Sequence, residues 1–562
     1  MANPRRFWIV CLLLLLVAFA FRFAVTRYIE VDDPDDSKVY AQIARNLLEQ
    51  RGYSHSTGPP YAPSLVRVPG YPLFLAGVYW LFGQANDNAV RIAQALLDTA
   101  TCGLLALLAF YWEPEGSRKR AAAIAALALA AVCPFSAIYT ATILTETPTI
   151  LLAVLTCLSA VYAFRAATFK RSIVLWSTTG VIAGIAVLFR PDSVLLAAAI
   201  AITLVGEITL GRNKEPADSE QRTGIRSRLP RAAALGAVFA AGCFLVLAPW
   251  TIRNERVFHL FQPLAPWHAK MPGEFVPNGY FAWLRTWIQD QRYIGPVLLK
   301  LGQAPIDVDE IPDTAFDSLE EKKQIEALFE RYSHPPLAPT EQRPTPEFKP
   351  DVPEEGDSPS GNAAARPGED EFELNEQENL PDEPEPNLNI ERDQVEESQE
   401  VKMTPELDAA FAHIARERIS RAPIRYYVSL PFRRAVSLWF DTHSQYYPFE
   451  GELMPLEELD KSSQQHIWLP LFAALTWIYT LLGVTGAWLL WRTQVYEARR
   501  WVFLVGLVVF LRLGFFATLE NPEPRFVVEI FPFLTILGGI AAGRIAGLRI
   551  RDWYKGRGVR VQ

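Results

Sequence analysis

FWIVCLLLLLVAFAF (residues 7–21) carries no charge, and AAAIAALALAAV (121–132) repeats the pattern further along. Runs approaching about 20 apolar residues are long enough to cross the hydrocarbon core of a bilayer as helices. Such runs recur near 7–25, 88–111, 121–140, 147–166, 172–190, 193–211, 231–250, 467–492, 501–519 and 527–547. The sequence thus predicts an all-α polytopic membrane protein with about ten transmembrane helices. Half of the 562 residues are hydrophobic and the formal charge is −8; one large polar insertion between the apolar runs keeps the mean hydropathy modest. Arg5 and Arg6 precede the first run as in a signal peptide. No small-residue cleavage site follows, and Arg22 stands where one is wanted, so the run reads as an uncleaved first span. Cys11, Cys102, Cys133, Cys157 and Cys243 all lie in apolar runs without metal or redox spacing. No zinc, P-loop or dinucleotide motif is present.

The basic residues sort the loops. Arg5 and Arg6, Arg118, Lys119 and Arg120, Lys170 and Arg171, the 212–231 loop, Arg499 and Arg500, and the tail from Arg549 fall on one side. The positive-inside rule places that side and both termini in the cytoplasm; the expected location is the plasma (inner) membrane. PGYPLFLAGVYWLFG (69–83) is short for a span, and letting it cross would put Arg118–Arg120 outside. It reads as an interfacial or re-entrant helix on the outer face. Three regions follow: an N-terminal transmembrane module (1–250) whose first outer loop (26–87) carries the active site; an extracytoplasmic loop region (251–466); and a C-terminal module (467–562) with a basic cytoplasmic tail. Within the loop region, 305–400 is rich in Glu, Asp and Pro, as in EFELNEQENLPDEPEPN (371–387). That composition predicts disorder. TPELDAAFAHIARERI (404–419) has the signature of a capped helix start.

VDDPDDSKVYAQIARNLLEQRGYS (31–54) sets four aspartates at the end of the first span. A helix starting near Ser37 puts Asp35 and Asp36 at its positive end, which favours the ionised form. A carboxylate there can serve as a general base, and Asp33, Asp35 and Asp36 are candidates to hold a divalent metal cation. The plainer alternative is an N-capped, solvated turn. Arg67 at the membrane surface suits a lipid phosphate or simple snorkelling. Glu146 lies in a short turn between spans, where a carboxylate needs a partner or a function, or caps the next helix. Arg190 and Asp192, Arg253 and Asn254, and Glu520, Glu523 and Arg525 mark outer span ends. Acids and arginines gathered on one side suit a negatively charged lipid donor and an acceptor that must lose a proton.

Ordered motifs give a more specific reading. They are Asp36-x-x-x-Tyr40 with IARNLL and GYS; Arg67-x-Pro-Gly-Tyr-Pro-Leu-Phe-Leu-Ala; Arg91-x-x-Gln94; Thr145-Glu146; Leu188-Phe189-Arg190-Pro191; Pro249-Trp250-Thr-Ile-Arg253-Asn254; and Glu520-x-x-x-x-Arg525-Phe526. The set resembles the GT-C superfamily of membrane glycosyltransferases, in particular bacterial relatives of protein O-mannosyltransferases and aminoarabinose transferases, over 1–260 and 467–547. The resemblance implies hexosyl or pentosyl transfer, with inversion, from a polyprenyl-phosphate-sugar donor to a protein, lipid or glycan acceptor on the extracytoplasmic face. By the same resemblance Asp36 is the catalytic carboxylate, with Asp35 its neighbour in the family's acidic pair, and Glu146 is the second-loop acid. Arg67 stands where aminoarabinose transferases carry a lysine that contacts the lipid phosphate, and Arg190, Arg253 and Arg525 are further donor-phosphate candidates. Two other classes compete: a multi-pass transporter, and a non-enzymatic membrane scaffold with an acidic binding loop. A transporter would place charges near the midplane between repeated halves, and a scaffold would not need ordered acids and arginines in several loops. No nucleic-acid partner is expected.

Overall fold

The computed structural model describes residues 4–31, 35–210, 225–334, 401–449 and 463–556. Among the described residues every regular element is helical. In chain order the principal helices are α1 (Pro4–Tyr28), α2 (Asp35–Leu48), α3 (Gly70–Phe82), α4 (Asp87–Trp112), α5 (Lys119–Ala131), α6 (Pro134–Ala137), α7 (Glu146–Phe164), α8 (Phe169–Phe189), α9 (Val194–Leu210) and α10 (Ile225–Phe258). They continue with α11 (Asn278–Leu284), α12 (Leu319–Ser333), α13 (Pro405–Arg421), α14 (Leu430–Phe440), α15 (Ser463–Arg492), α16 (Tyr496–Phe516) and α17 (Phe531–Gly556). The protein is all-α and polytopic.

Eight of the described helices are long and apolar enough to cross a membrane, and nine if one bent pair counts as a single span. The difference from the expected ten has two physical causes. The span expected at 121–140 bends by 51° between Lys119–Ala131 and Pro134–Thr140, where Pro134 has no N–H for the helical ladder. The span expected at 501–519 is the 21-residue α16, but Arg499, Arg500 and Arg512 make it too polar. Its ion pairs still show its path. At one end Arg165 meets Glu497 at 3.8 Å and Arg500 meets Glu207; at the other, Arg512 reaches Asp192 at 2.6 Å. The helix therefore runs the length of the bundle, with its charges neutralised inside the protein.

By its internal contacts the chain divides into two units, Met1–Gly295 with Asp408–Gln562, and Pro296–Leu407. The N- and C-terminal transmembrane modules read from the sequence thus share one unit. Small residues let its helices meet backbone to backbone: a methyl at Gly180 of α8 would overlap the Phe239 carbonyl of α10, and one at Gly486 of α15 would overlap the Leu537 carbonyl of α17. Trp112 stacks on Trp501 at 5.3 Å. α3 is 13 residues long, about 20 Å at 1.5 Å per residue, well short of a bilayer core of about 30 Å. It packs on α2 and α4 through Tyr71, Leu75, Tyr79, Ala44 and Val90.

The second unit corrects the expectation of disorder at 305–400. Its first part folds. Ser318 caps α12 by accepting the Glu321 amide at 3.1 Å, and Ile325, Phe329 and Tyr332 are buried along one face. The Tyr332 hydroxyl accepts the Gly302 amide at 2.6 Å and donates to the Ala304 carbonyl at 3.3 Å. Average composition hid a capping box, Ser318-x-x-Glu321, and a helical apolar stripe. The rest of that segment, 335–400, lies outside the described residues.

Buried ion pairs stitch the transmembrane unit. Arg22 donates to Asp98 at 2.7 Å and to the carbonyls of Ala130 and Ala131 at 2.9 and 2.8 Å. Arg544 of α17 grips Glu113 with two bonds of 2.8 Å, and the Glu113 side chain is 0% exposed. Removing one partner of such a pair leaves an uncompensated buried charge, worth about 3–5 kcal/mol. Arg544→Ala should therefore lower the thermal unfolding midpoint of the detergent-purified protein sharply, and adding Glu113→Gln should restore much of the loss. An unchanged midpoint for Arg544→Ala would contradict the pairing.

Candidate active site

Asp35 and Asp36 open α2, but adjacent helical positions point in different directions. The Asp35 side chain is 81% exposed and meets the exposed Lys38 at 3.0 Å. Asp36 turns inward and is 31% exposed: its Oδ1 lies 2.5 Å from Arg67 Nη2 and its Oδ2 3.5 Å from Arg525 Nη1. Burial alone would raise its pKa. The charges of Arg525 and Arg67, the hydrogen bond from Arg67 and the charge of Arg190 outweigh that and hold the carboxyl below its ordinary value. The sequence alone placed both aspartates in one cluster; the helix separates them.

Each arginine beside Asp36 is pinned. Arg67 donates from Nη1 to the Val66 carbonyl at 3.0 Å, its guanidinium lies 5.7 Å from the Tyr40 ring centroid, and its own carbonyl accepts the Tyr53 hydroxyl at 3.0 Å. Burial pushes the Tyr40 phenol up to about 12, so it remains a neutral ring under the cation. Arg525 reaches Glu523 at 2.5 Å, donates to the Tyr446 hydroxyl at 3.3 Å and lies over Phe526 at 5.3 Å. Tyr446 was not singled out from the sequence. It sits in the aromatic stretch HSQYYPF (443–449), which carries no motif to flag it.

Beneath this pair lies a closed layer. Arg190 donates to Glu146 at 2.7 Å and Asp192 at 3.0 Å, and lies 3.6 Å from Glu529. Arg512 meets Asp192 at 2.6 Å and Glu529 at 2.9 Å and donates to the Phe526 carbonyl. All five side chains are at most 11% exposed. The Glu146 Oε2 atom is buried without a hydrogen-bond partner. Glu529 and Arg512 were also missed by sequence reading, although ionisable residues inside apolar runs are a usable signal.

The other predicted residues take supporting places. Arg253 donates to the carbonyls of Ser64 at 2.7 Å and Tyr53 at 3.4 Å and lies over Trp250 at 5.0 Å, which fastens the segment between α2 and α3 to α10. Arg190 is held by carboxylates in the lower layer. Gln94 accepts from the Tyr71 hydroxyl at 2.9 Å and donates to the Thr142 carbonyl at 2.7 Å, while Arg91 donates to the Ala141 carbonyl at 2.8 Å. These motif residues shape the turn that leads into Glu146. Glu520 faces Arg285 at 3.4 Å and His268 at 3.5 Å, and burial raises its pKa.

The expected metal set of Asp33, Asp35 and Asp36 lies only in part within the described residues. No three His, Cys, Asp or Glu side chains converge there. Asp35 faces solvent, Asp36 is taken up by two arginines, and Asp33, like Asp32, lies outside the described residues.

The pattern of the dolichyl-phosphate-mannose-protein mannosyltransferase family matches residues 63–216, little more than a quarter of the 562-residue chain. No curated protein matches this sequence. Among solved structures, the Archaeoglobus fulgidus oligosaccharyltransferase tethered to an acceptor peptide aligns with a TM-score of 0.46 at 11% identity, covering 99% of this chain and 51% of that one. The present chain thus spans about half that enzyme's length. The same organism's AglB, in complex with an inhibitory peptide and a dolichol-phosphate, gives 0.44 at 11% identity over 99% and 53%. ArnT from Cupriavidus metallidurans bound to undecaprenyl phosphate gives 0.35 at 14% identity over 96% and 78%.

The two layers should respond differently to mutation. Arg190→Ala strands the buried Glu146 and should cost about 3–5 kcal/mol of stability. Arg67→Ala removes a more exposed pair and should cost no more than about 1 kcal/mol. Chemical or thermal unfolding of the two purified variants measures the difference, and equal losses would show that the layers are not distinct.

Proposed function

We propose that this chain is a membrane glycosyltransferase that moves a sugar from a polyprenyl-phosphate donor to an extracytoplasmic acceptor, with inversion. The observation that carries this reading is the Asp36 carboxylate set between Arg67 and Arg525 at one end of the bundle. It joins a base to two cations that suit a leaving phosphate. The ordered motifs and the family match over 63–216 favour the same class.

The reaction is a single displacement. The acceptor hydroxyl or amine attacks the anomeric carbon while Asp36 takes its proton. The bond from that carbon to the phosphate oxygen breaks, and the electron pair leaves with the polyprenyl phosphate, whose charge Arg67 and Arg525 stabilise. Glu146, anchored by Arg190 and with one oxygen unpartnered, is the second acid of the site. The site lies on the outer face of the inner membrane and both termini are cytoplasmic. The basic loops favour this: Arg118 lies between α4 and α5, Lys170 opens α8, and Arg499 and Arg500 lie at the end of α16 away from Arg512 and Asp192.

Transfer of labelled sugar from a panel of polyprenyl-phosphate donors by the purified protein tests the class. No transfer from any donor would remove it. Within an active preparation, Asp36→Asn should reduce turnover about 100- to 10,000-fold, the usual range for losing a general base, with membrane insertion intact. Asp35→Asn should be much milder. Arg67→Lys should retain more activity than Arg67→Ala, since it keeps the charge but loses the fork.

Topology has its own test. Cysteines at the exposed positions Thr57 and Gln84 flank α3. Both should react with an impermeant reagent added from outside; reaction from opposite sides would mean that α3 crosses.

A further inference from the structure

Asp36 sits in the seat that the proposed reaction gives to the leaving phosphate. Its two oxygens face two different guanidinium groups, at 2.5 Å for Arg67 and 3.5 Å for Arg525. Neither arginine is loose. Arg67 is tied to the Val66 carbonyl and the Tyr40 ring, and Arg525 to Glu523 and Tyr446. An incoming anion therefore has to come to them, at the place the carboxylate holds.

We propose that Asp36 is a resting-state stand-in for the donor phosphate: the lipid phosphate binds by displacing this carboxylate from Arg67 and Arg525, and only the displaced carboxylate serves as the base. The inference rests on the donor reading above and deepens it. A carboxylate whose oxygens both face guanidinium groups is a poor proton acceptor. A phosphate, with more charge and more acceptor oxygens, is a stronger partner for two arginine forks. Once it is seated, Asp36 exchanges two cationic neighbours for an anionic one, and its basicity rises. Binding is then ordered, donor before acceptor, and the protein without a donor holds no competent base. The lower layer takes no part in the exchange, because Arg190 is already committed to Glu146 and Asp192.

The consequence has an unusual sign. The residue needed for turnover opposes donor binding. If Asp36 instead held the phosphate through a bridging cation, its removal would weaken binding.

The test measures the affinity of undecaprenyl phosphate for the full-length protein in nanodiscs of uncharged lipid. Asp36→Asn and, as a second variant, Asp36→Ser should each bind it roughly three- to thirtyfold more tightly than the unaltered chain. That range is what solvent screening leaves of a charge-assisted hydrogen bond. Arg525→Gln should bind more weakly, and Asp36→Asn should bring a smaller gain in that background. Equal or weaker binding by both Asp36 variants, with binding still dependent on Arg525, overturns the exchange and leaves the donor reading standing. Absence of binding to the unaltered chain, or binding indifferent to Arg525, overturns the donor reading itself.

Discussion

Two arginines, Arg190 and Arg512, are shared by three carboxylates, Glu146, Asp192 and Glu529, inside a helical bundle built for lipid. Charges at such depth persist only when paired. The residues come from the start of α7, the junction of α8 with α9, the C-terminal part of α16 and the entry to α17. Satisfying the five charges therefore fixes where four separate parts of the chain must meet. Their meeting brings the turn with Arg525 over the start of α2, and so creates the Asp36 site.

The opposite end of the bundle obeys the same constraint with different residues. Glu113 and Arg544, Glu207 and Arg500, and Arg165 and Glu497 close it. Ion pairs at both ends set the helix directions: α16 leaves the end with Arg500 and arrives at the end with Asp192. This is why a helix too charged to qualify as a span by composition still runs alongside those that do. The pairing also explains the departure from a simple hydropathy count, which weighs each arginine as though it faced lipid.

Much of the fold was legible because its signals are local. Apolar runs gave the spans, and Thr404 gave the start of α13, whose Leu407 amide it accepts at 3.3 Å. Motifs marked Asp36, Arg67, Glu146 and Arg525, and the structure brings Asp36 together with Arg67 and Arg525. What escaped was relational. The motif singles out Asp36, but that Asp35 faces solvent while Asp36 turns inward follows only from the phase of a helix that starts at those residues. Arg190 and Arg253 look like equals of Arg67 in a list of outer-face arginines, yet Arg190 is committed to carboxylates and Arg253 to backbone carbonyls. Tyr446 becomes visible only through its contact with Arg525. At 305–334 the error was of another kind, since averaged composition concealed a capped amphipathic helix.

The contrast between the layers bears on which charges can do chemistry. A buried ion pair in low dielectric is costly to open, because each partner loses its only compensation. Glu146, Asp192 and Glu529 share arginines that are at most 11% exposed, so their geometry is set before any substrate arrives. Asp36 shares arginines that are 16% and 19% exposed and is itself 31% exposed. Water or a ligand can compensate each of these charges if the pair separates. The upper layer is therefore the part of the network that can change partners, while the lower layer holds its frame. The exchange proposed for Asp36 needs both: fixed charges to aim the forks, and one exchangeable pair to let an anion in.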